Sequence, residues 1–300
     1  MKRINPFDKI YAGEHLNFLE KTTHDFPSFI DLELTNHCNL DCIMCNRRLM
    51  TREKGNMARE LFNKIIEQCT KHKTPIRFIR WGEPFLHPFI FDYINIVKEK
   101  GLLLHITTNG LLLDDFKLQK LIDSNLDSII FSMQGFTKEV YNEMRLNDRY
   151  NHLLHLINKL IELRGEKSSP YIQITTTVTA EQDNKKDRLC FSDYWKNKVD
   201  LVKIGKTNMA RFNNTERGVY QPCWEVFNHM SIDWDGKVTP CCGDYDNYLT
   251  IGDANDLPLH EIWRYNSRLN GIRLMLGNNM HRSLTLCSKC FPAYDMKCKE

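Results

Sequence analysis

No apolar run in this 300-residue chain approaches the roughly 18 residues that a membrane-crossing helix needs. The first ten residues, MKRINPFDKI, lack the apolar stretch of a secretory signal. A cytoplasmic address is the expectation. There is no charge excess either: 41 basic against 38 acidic residues leave a net charge of +3. That balance argues against the broad basic footprint of a nucleic-acid-binding domain, so neither nucleic acid nor membrane is expected as a partner. Internal repeats and low-complexity tracts are missing as well. With 42% hydrophobic, 26% charged and 11% aromatic residues, the composition excludes disordered and collagen-like chains. The length suits one large domain, or a medium one with a smaller companion.

Cysteine is what the chain has in excess: 11 residues, an odd number, with no export signal. In a reducing compartment such a surplus argues for metal ligation or thiol chemistry rather than disulfides. Around these cysteines the chain alternates two kinds of pattern. Strand-like runs occupy Phe29 to Leu34, Ile76 to Trp81, Leu102 to Thr107, Asp127 to Met133, Tyr171 to Thr179 and Val199 to Ile204. Between them apolar residues recur at helical spacing, as in Leu61, Phe62, Ile65, Ile66 and Cys69, or in Leu153, Leu156, Ile157, Leu160 and Ile161 before a helix-stopping Gly165. Pro88 suits the first turn of the helix that carries Tyr93, Ile94 and Val97. Six strands joined by crossover helices predict a parallel sheet of right-handed units, an α/β partial (βα)6 TIM-like barrel. Residues 1–26 read as an N-terminal extension, 27–205 as the barrel and 206–222 as a linker. Residues 223–300 read as a small α+β cysteine-rich module, with a hairpin at Asp235-Gly236 and one amphipathic helix around Leu259 to Leu276.

Immediately after the first strand stands CNLDCIMC, in which Cys38, Cys42 and Cys45 form a C-x3-C-x2-C triplet. Three thiolates on one loop can hold three irons of a cubane cluster or three corners of a zinc site, the latter completed by His37 or a distal cysteine. The triplet resembles the cluster motif of the radical S-adenosylmethionine (radical SAM) superfamily. In that family three cysteines bind a 4Fe-4S cluster whose free iron chelates SAM, which is then cleaved reductively to a 5′-deoxyadenosyl radical. Met44 stands where an aromatic residue is common; its thioether can still pack on adenine. RWGEP at Arg80 to Pro84 resembles the family's GGEP segment, which binds the SAM amino group. The resemblance implies cofactor contacts at Trp81, Gly82, Glu83 and Pro84, with Trp81 in place of a usual glycine. TTNG at Thr107 to Gly110 and SMQG at Ser132 to Gly135 resemble segments lining the SAM ribose and methionine, implying Thr108, Asn109 and Ser132; Gln134 replaces a frequent aspartate. Each segment alone is ordinary turn chemistry. Together they fall at the carboxyl ends of predicted strands, where barrels build active sites.

In the second module Cys223, Cys241, Cys287 and Cys290 bracket the hairpin and helix, suiting either a zinc site or a fully ligated cluster. Their setting, PCW, DGKVTPCC and CSKC, resembles the twitch form of the SPASM domain and implies one auxiliary 4Fe-4S cluster. Cys242, beside a presumed ligand, is a spare thiol or a hydrogen-atom donor; Cys298 is an alternative ligand or nothing. Cys69 and Cys190 read as core residues. Lys203, Lys206 and Arg211 follow the sixth strand, either as a solvated basic loop or as groups meeting an anionic substrate or accepting a proton. The expectation is a radical SAM oxidoreductase (dehydrogenase) or epimerase acting at a hydroxyl-bearing carbon of a small carbohydrate-like substrate. Reducing power would come from a flavodoxin- or ferredoxin-type donor. The alternatives are a radical SAM peptide maturase and, from another class, a non-catalytic zinc-binding interaction protein.

Overall fold

The computed structural model describes residues 3–10, 23–207, 223–288 and 290. Arg211, Cys298 and most of the expected linker lie outside the described residues. All six expected strands form: β1 (Phe29–Leu32), β2 (Ile76–Phe78), β3 (Leu104–Thr108), β4 (Ser128–Ser132), β5 (Tyr171–Val178) and β6 (Leu201–Lys206). They are parallel and pair in chain order. Between them run α1 (Arg59–His72), α2 (Ile90–Glu99), α3 (Asp115–Asp123), α4 (Lys138–Arg145) with α5 (Tyr150–Arg164), and α6 (Lys185–Trp195). Several starts are written locally. The side chains of Asp114, Thr137 and Asn184 accept from backbone N–H groups in the first turns of α3, α4 and α6. Gly165 ends α5 at φ 52°.

Strand alternation gives the sheet two chemically different faces. Ile30, Ile76, Leu104, Ile129 and Ile172, or their register neighbours, form an apolar side fully buried among the helices. Leu61, Phe62, Ile65, Ile66 and Cys69 of α1 cover part of it. The opposite face carries Asp31, Arg77, His105 and Ser128 side by side. This polar side lines the barrel interior, where buried groups must be paired. Arg77 forks onto Asp31 at 2.6 and 2.9 Å. His105 sits between the hydroxyls of Ser128 (3.0 Å) and Thr107 (2.9 Å). Burial, with the charge of Arg77, pushes His105 down to about 3. Phe7, from the N-terminal segment, meets the same ring edge-on with centroids 5.8 Å apart.

The cysteine-rich module continues this sheet. Its first strand, β7 (His229–Ile232), pairs in parallel with β1, and β8 (Lys237–Thr239) and β9 (Gly252–Asp253) follow antiparallel. The expected hairpin turns at Asp235-Gly236. Gly236 is required there: its φ is 96°, and a Cβ would lie 2.2 Å from the Asn255 amide.

Two expectations are corrected. The single helix around 259–276 is two, Leu259–Arg264 and Ser267–Gly277, because the Asn266 side chain caps a fresh start by accepting from Leu269 N. Cys190 is exposed rather than core. In α6 the buried stripe is Phe191 and Trp195, one turn apart, and Cys190 falls beside that stripe. Among the described residues no helix is long and apolar enough to cross a membrane.

Candidate active site at the carboxyl ends of the barrel strands

The loop leaving β1 brings Cys38, Cys42 and Cys45 to the carboxyl end of the sheet. Backbone bonds shape it: Cys45 N donates to Cys42 O (3.1 Å), and Ile43 N ties the loop to Met144 O of α4 (3.1 Å). Cys45 then starts a short 3-10 helix, Asn46–Leu49. Polar hydrogens face two of the sulfurs. Arg145 Nη1 lies 3.3 Å from Cys42 Sγ, and Asn109 Nδ2 lies 3.9 Å from Cys38 Sγ. Burial pushes the Cys38 thiol up to about 11. A site of this kind holds thiolates only when a cation displaces the protons. Three thiols opening into a cavity, two of them with N–H groups aimed at the sulfur, fit a cluster with three protein ligands and one free corner.

The end of β2 is locked against this loop. Glu83 N donates to His37 O (2.8 Å), and a Cβ on Gly82 would lie 1.9 Å from Thr35 O. No other residue fits at position 82 without moving backbone. The buried Glu83 carboxylate accepts from Thr108 Oγ1 (2.7 Å), Asn109 N (2.8 Å) and Phe85 N (3.2 Å). Burial raises Glu83 above the usual carboxylate range against the pull of these donors. One side chain therefore holds the RWGEP and TTNG segments together, a role the sequence motif did not reveal.

A cavity of about 380 Å³ opens here, within the range of small-molecule sites (roughly 300–1,000 Å³). Its lining includes the three cysteines and Met44, Trp81, Gly82, Glu83, Thr108, Asn109 and Ser132. Of the expected cofactor contacts Pro84 is the exception; it is buried at the start of a 3-10 turn. On the far wall stand Thr107, Gln134, Thr177, Lys206 and Thr207. Thr207 donates to Thr177, which donates to Gln134 Oε1. Lys206 lies 3.6 Å from Asp183, whereas Lys203 is exposed on β6 and is not part of the lining. Arg145, Thr177 and Thr207 were not singled out from sequence. Nothing in their immediate neighbours marks them, since tertiary folding alone brings them to the cavity.

In the second module Cys223 and Cys241, both half-buried, lie close enough to Cys287 and Cys290 for the four thiols to feel one another's charge. Burial and the neighbouring thiols push Cys223 and Cys241 well above the ordinary thiol range. Cys287 rises to about 12, mainly through burial. Four convergent thiols, three of them pushed towards the neutral form until a cation takes the proton's place, fit a fully ligated metal centre. Cys242, exposed, turns away from them: its sulfur, His229 and Glu225 place ligand atoms within 4.8 Å of one another. It is not among the residues lining the cavity.

Comparison with known proteins agrees with this geometry. The family model "Radical SAM superfamily" matches residues 32–183, and the SPASM model, "Iron-sulfur cluster-binding domain", matches residues 223–291. A Pyrococcus furiosus protein named tungsten-containing aldehyde ferredoxin oxidoreductase cofactor-modifying protein is 27% identical, over 87% of each chain. Further curated relatives are matched over less than half of their own length. Among solved structures, BtrN in complex with AdoMet and 2-DOIA superposes with a TM-score of 0.63 at 19% identity, covering 88% of this chain and 93% of BtrN. Streptococcus suis SuiB bound to the precursor peptide SuiA superposes with a TM-score of 0.68 at 16% identity, covering 90% and 72%. With the first family model spanning more than half of its 300 residues, the chain belongs to the radical SAM superfamily and carries a SPASM-type domain, which makes SAM and 4Fe-4S clusters its cofactors.

Proposed function

We propose that the protein is a cytoplasmic radical SAM dehydrogenase that oxidises a hydroxyl-bearing carbon of a small, carbohydrate-like molecule. A flavodoxin- or ferredoxin-type donor would supply electrons. Cys38, Cys42 and Cys45 would hold the SAM-binding cluster; Cys223, Cys241, Cys287 and Cys290 would hold the second. When bound, the first cluster supplies the electron that cleaves SAM to a 5′-deoxyadenosyl radical. The chain's own residues do the rest. Met44, Trp81 and Gly82 bound the SAM side of the cavity, Arg145 and Asn109 present N–H groups to the cluster sulfurs, and the Thr107, Gln134, Thr177 and Thr207 wall offers hydroxyl and amide partners to a polyol. Lys206 is the cation at that wall. In the proposed reaction the substrate carbon gives a hydrogen atom to the 5′-deoxyadenosyl radical, its hydroxyl releases a proton to solvent, and the second cluster, held by Cys223, Cys241, Cys287 and Cys290, would supply the acceptor for the one electron that is left.

The observation that carries this reading is the size and lining of the cavity: it must hold SAM and substrate together, and its far wall is polar. Oxidation is favoured over epimerisation because an epimerase must return a hydrogen atom to the carbon, and the Cys242 thiol stands outside the lining. The test is anaerobic reconstitution with iron and sulfide, then incubation with SAM, a strong reductant and candidate polyols in deuterated water. The reading expects two clusters, 5′-deoxyadenosine, and a two-electron-oxidised product without carbon-bound deuterium. Zinc without sulfide defeats the enzyme reading; deuterium at carbon turns the assignment to an epimerase.

A further inference from the structure

Arg80 opens the RWGEP segment, and its side chain faces the second module. Its guanidinium, 1% exposed, donates from Nη1 to the carbonyls of Cys241 (3.1 Å) and Cys242 (3.3 Å) and from Nη2 to that of Asp244 (3.1 Å). Nε and Nη2 also bond Asp233 Oδ1 at 3.1 and 2.6 Å. The next residue repeats the connection, with Trp81 Nε1 donating to Asp244 O (3.3 Å). From the other side Arg52 forks onto Glu33 at 3.0 and 3.0 Å, pairs with Asp233 Oδ2 at 2.8 Å and donates to Tyr245 O at 2.9 Å. The loop that carries Cys241 is thus held by Arg80 and Trp81, which themselves line the SAM cavity, and by Arg52.

These contacts form a closed, buried set of charges: Arg52 and Arg80 against Glu33 and Asp233. The set is neutral. Arg80 and Arg52 share Asp233, one guanidinium on each carboxylate oxygen. Three main-chain carbonyls of the Cys241 loop point their negative ends at the Arg80 cation. In so dry a setting one uncompensated charge acts over several ångströms. The reduction potential of an iron-sulfur centre follows the net charge and hydrogen bonding around it.

We infer that Arg80 is a positioning residue that fixes the Cys241 loop and, by balancing Asp233 and Glu33, keeps the potential of the second cluster high enough to accept an electron. This rests on the reading of Cys241 as a ligand of that cluster. Removing Arg80 leaves one net negative charge buried beside the loop, and a centre that becomes more negative on reduction is then harder to reduce. Removing the Asp233 charge does the reverse.

The test uses the full chain with Cys38, Cys42 and Cys45 replaced by alanine, so that only the second cluster is reconstituted, and reads its midpoint potential by redox titration with electron paramagnetic resonance. Arg80→Gln should lower the potential, Arg80→Lys should restore most of it, Asp233→Asn should raise it, and Arg80→Gln with Asp233→Asn should return near the parent. A mere scaffold role predicts loss of iron without this ordered pattern. If Arg80→Gln keeps its iron and sulfide and the parent potential, the inference fails. If it does not fold, Asp233→Asn decides alone: an unchanged or lowered potential sinks the idea. If the triple-alanine parent holds no cluster at all, the reading of Cys241 fails, and the inference with it.

Discussion

The two cysteine sites differ in how they are assembled. Cys38, Cys42 and Cys45 come from eight consecutive residues, shaped by their own backbone and by one main-chain bond to α4. Cys223, Cys241, Cys287 and Cys290 come from a segment before β7, a loop after β8 and the region past the last long helix. The first site is a local feature with a distant lid of N–H donors; the second is a tertiary feature throughout. A local site tolerates change in the rest of the chain, whereas a tertiary one depends on the fold being complete.

The sharpest way to break this comparison is to remove one sulfur from each. Cys42→Ala should abolish 5′-deoxyadenosine formation while the second cluster's iron and sulfide remain. Cys241→Ala should leave SAM cleavage intact and stop product formation. If both variants lose both centres, the sites are not independent. Gly82→Ala should come next. Its methyl group would overlap Thr35 O, so the cluster loop must move; the expected cost is about 1–3 kcal/mol in chemical denaturation, with weakened SAM binding by equilibrium dialysis.

Away from both sites the effects should be conditional or small, the first of them seen only in acid. His105 has its pKa pushed down from the ordinary 6.5 to about 3 by burial. The proton therefore prefers the unfolded chain, and stability present above pH 6.5 is lost as pH falls towards 3, by at most about 1.4 kcal/mol per pH unit. His105→Gln should flatten this acid limb relative to the parent; an unchanged slope would assign acid sensitivity elsewhere. Last, Asp246 accepts from Thr51 N (2.7 Å), Thr51 Oγ1 (2.7 Å) and Arg52 N (3.1 Å) and so joins the second module to the cluster loop. Asp246→Ala should cost about 1 kcal/mol, read in thermal melts.

What could be read from sequence divides along the same line. The six parallel strands, the hairpin and the cysteine triplet are local patterns of spacing, and each is in place. Trp81, Asn109 and Ser132 were placed by motifs at strand ends, and all three line the cavity. What escaped was non-local. Arg145 reads as an ordinary basic residue in the last turn of a helix, yet it reaches the Cys42 sulfur. Glu83 reads as a ligand group, yet the chain supplies three hydrogen-bond donors to its carboxylate. Arg52 and Arg80 carry no signal, because their partners are far along the chain. Cys190 misled because an aromatic neighbour in sequence is not a neighbour on a helix face.

The parallel pairing of β7 with β1 has a consequence for how the chain can be cut. β1 has β2 on one flank and β7 on the other. A truncated chain ending before residue 223 would leave β1 with a row of open amides and carbonyls beside the cysteine loop, a template for strand addition and aggregation. The last strands must also arrive before the first strand is complete, which ties late synthesis to early structure and makes the final closure the slow, entropically costly one.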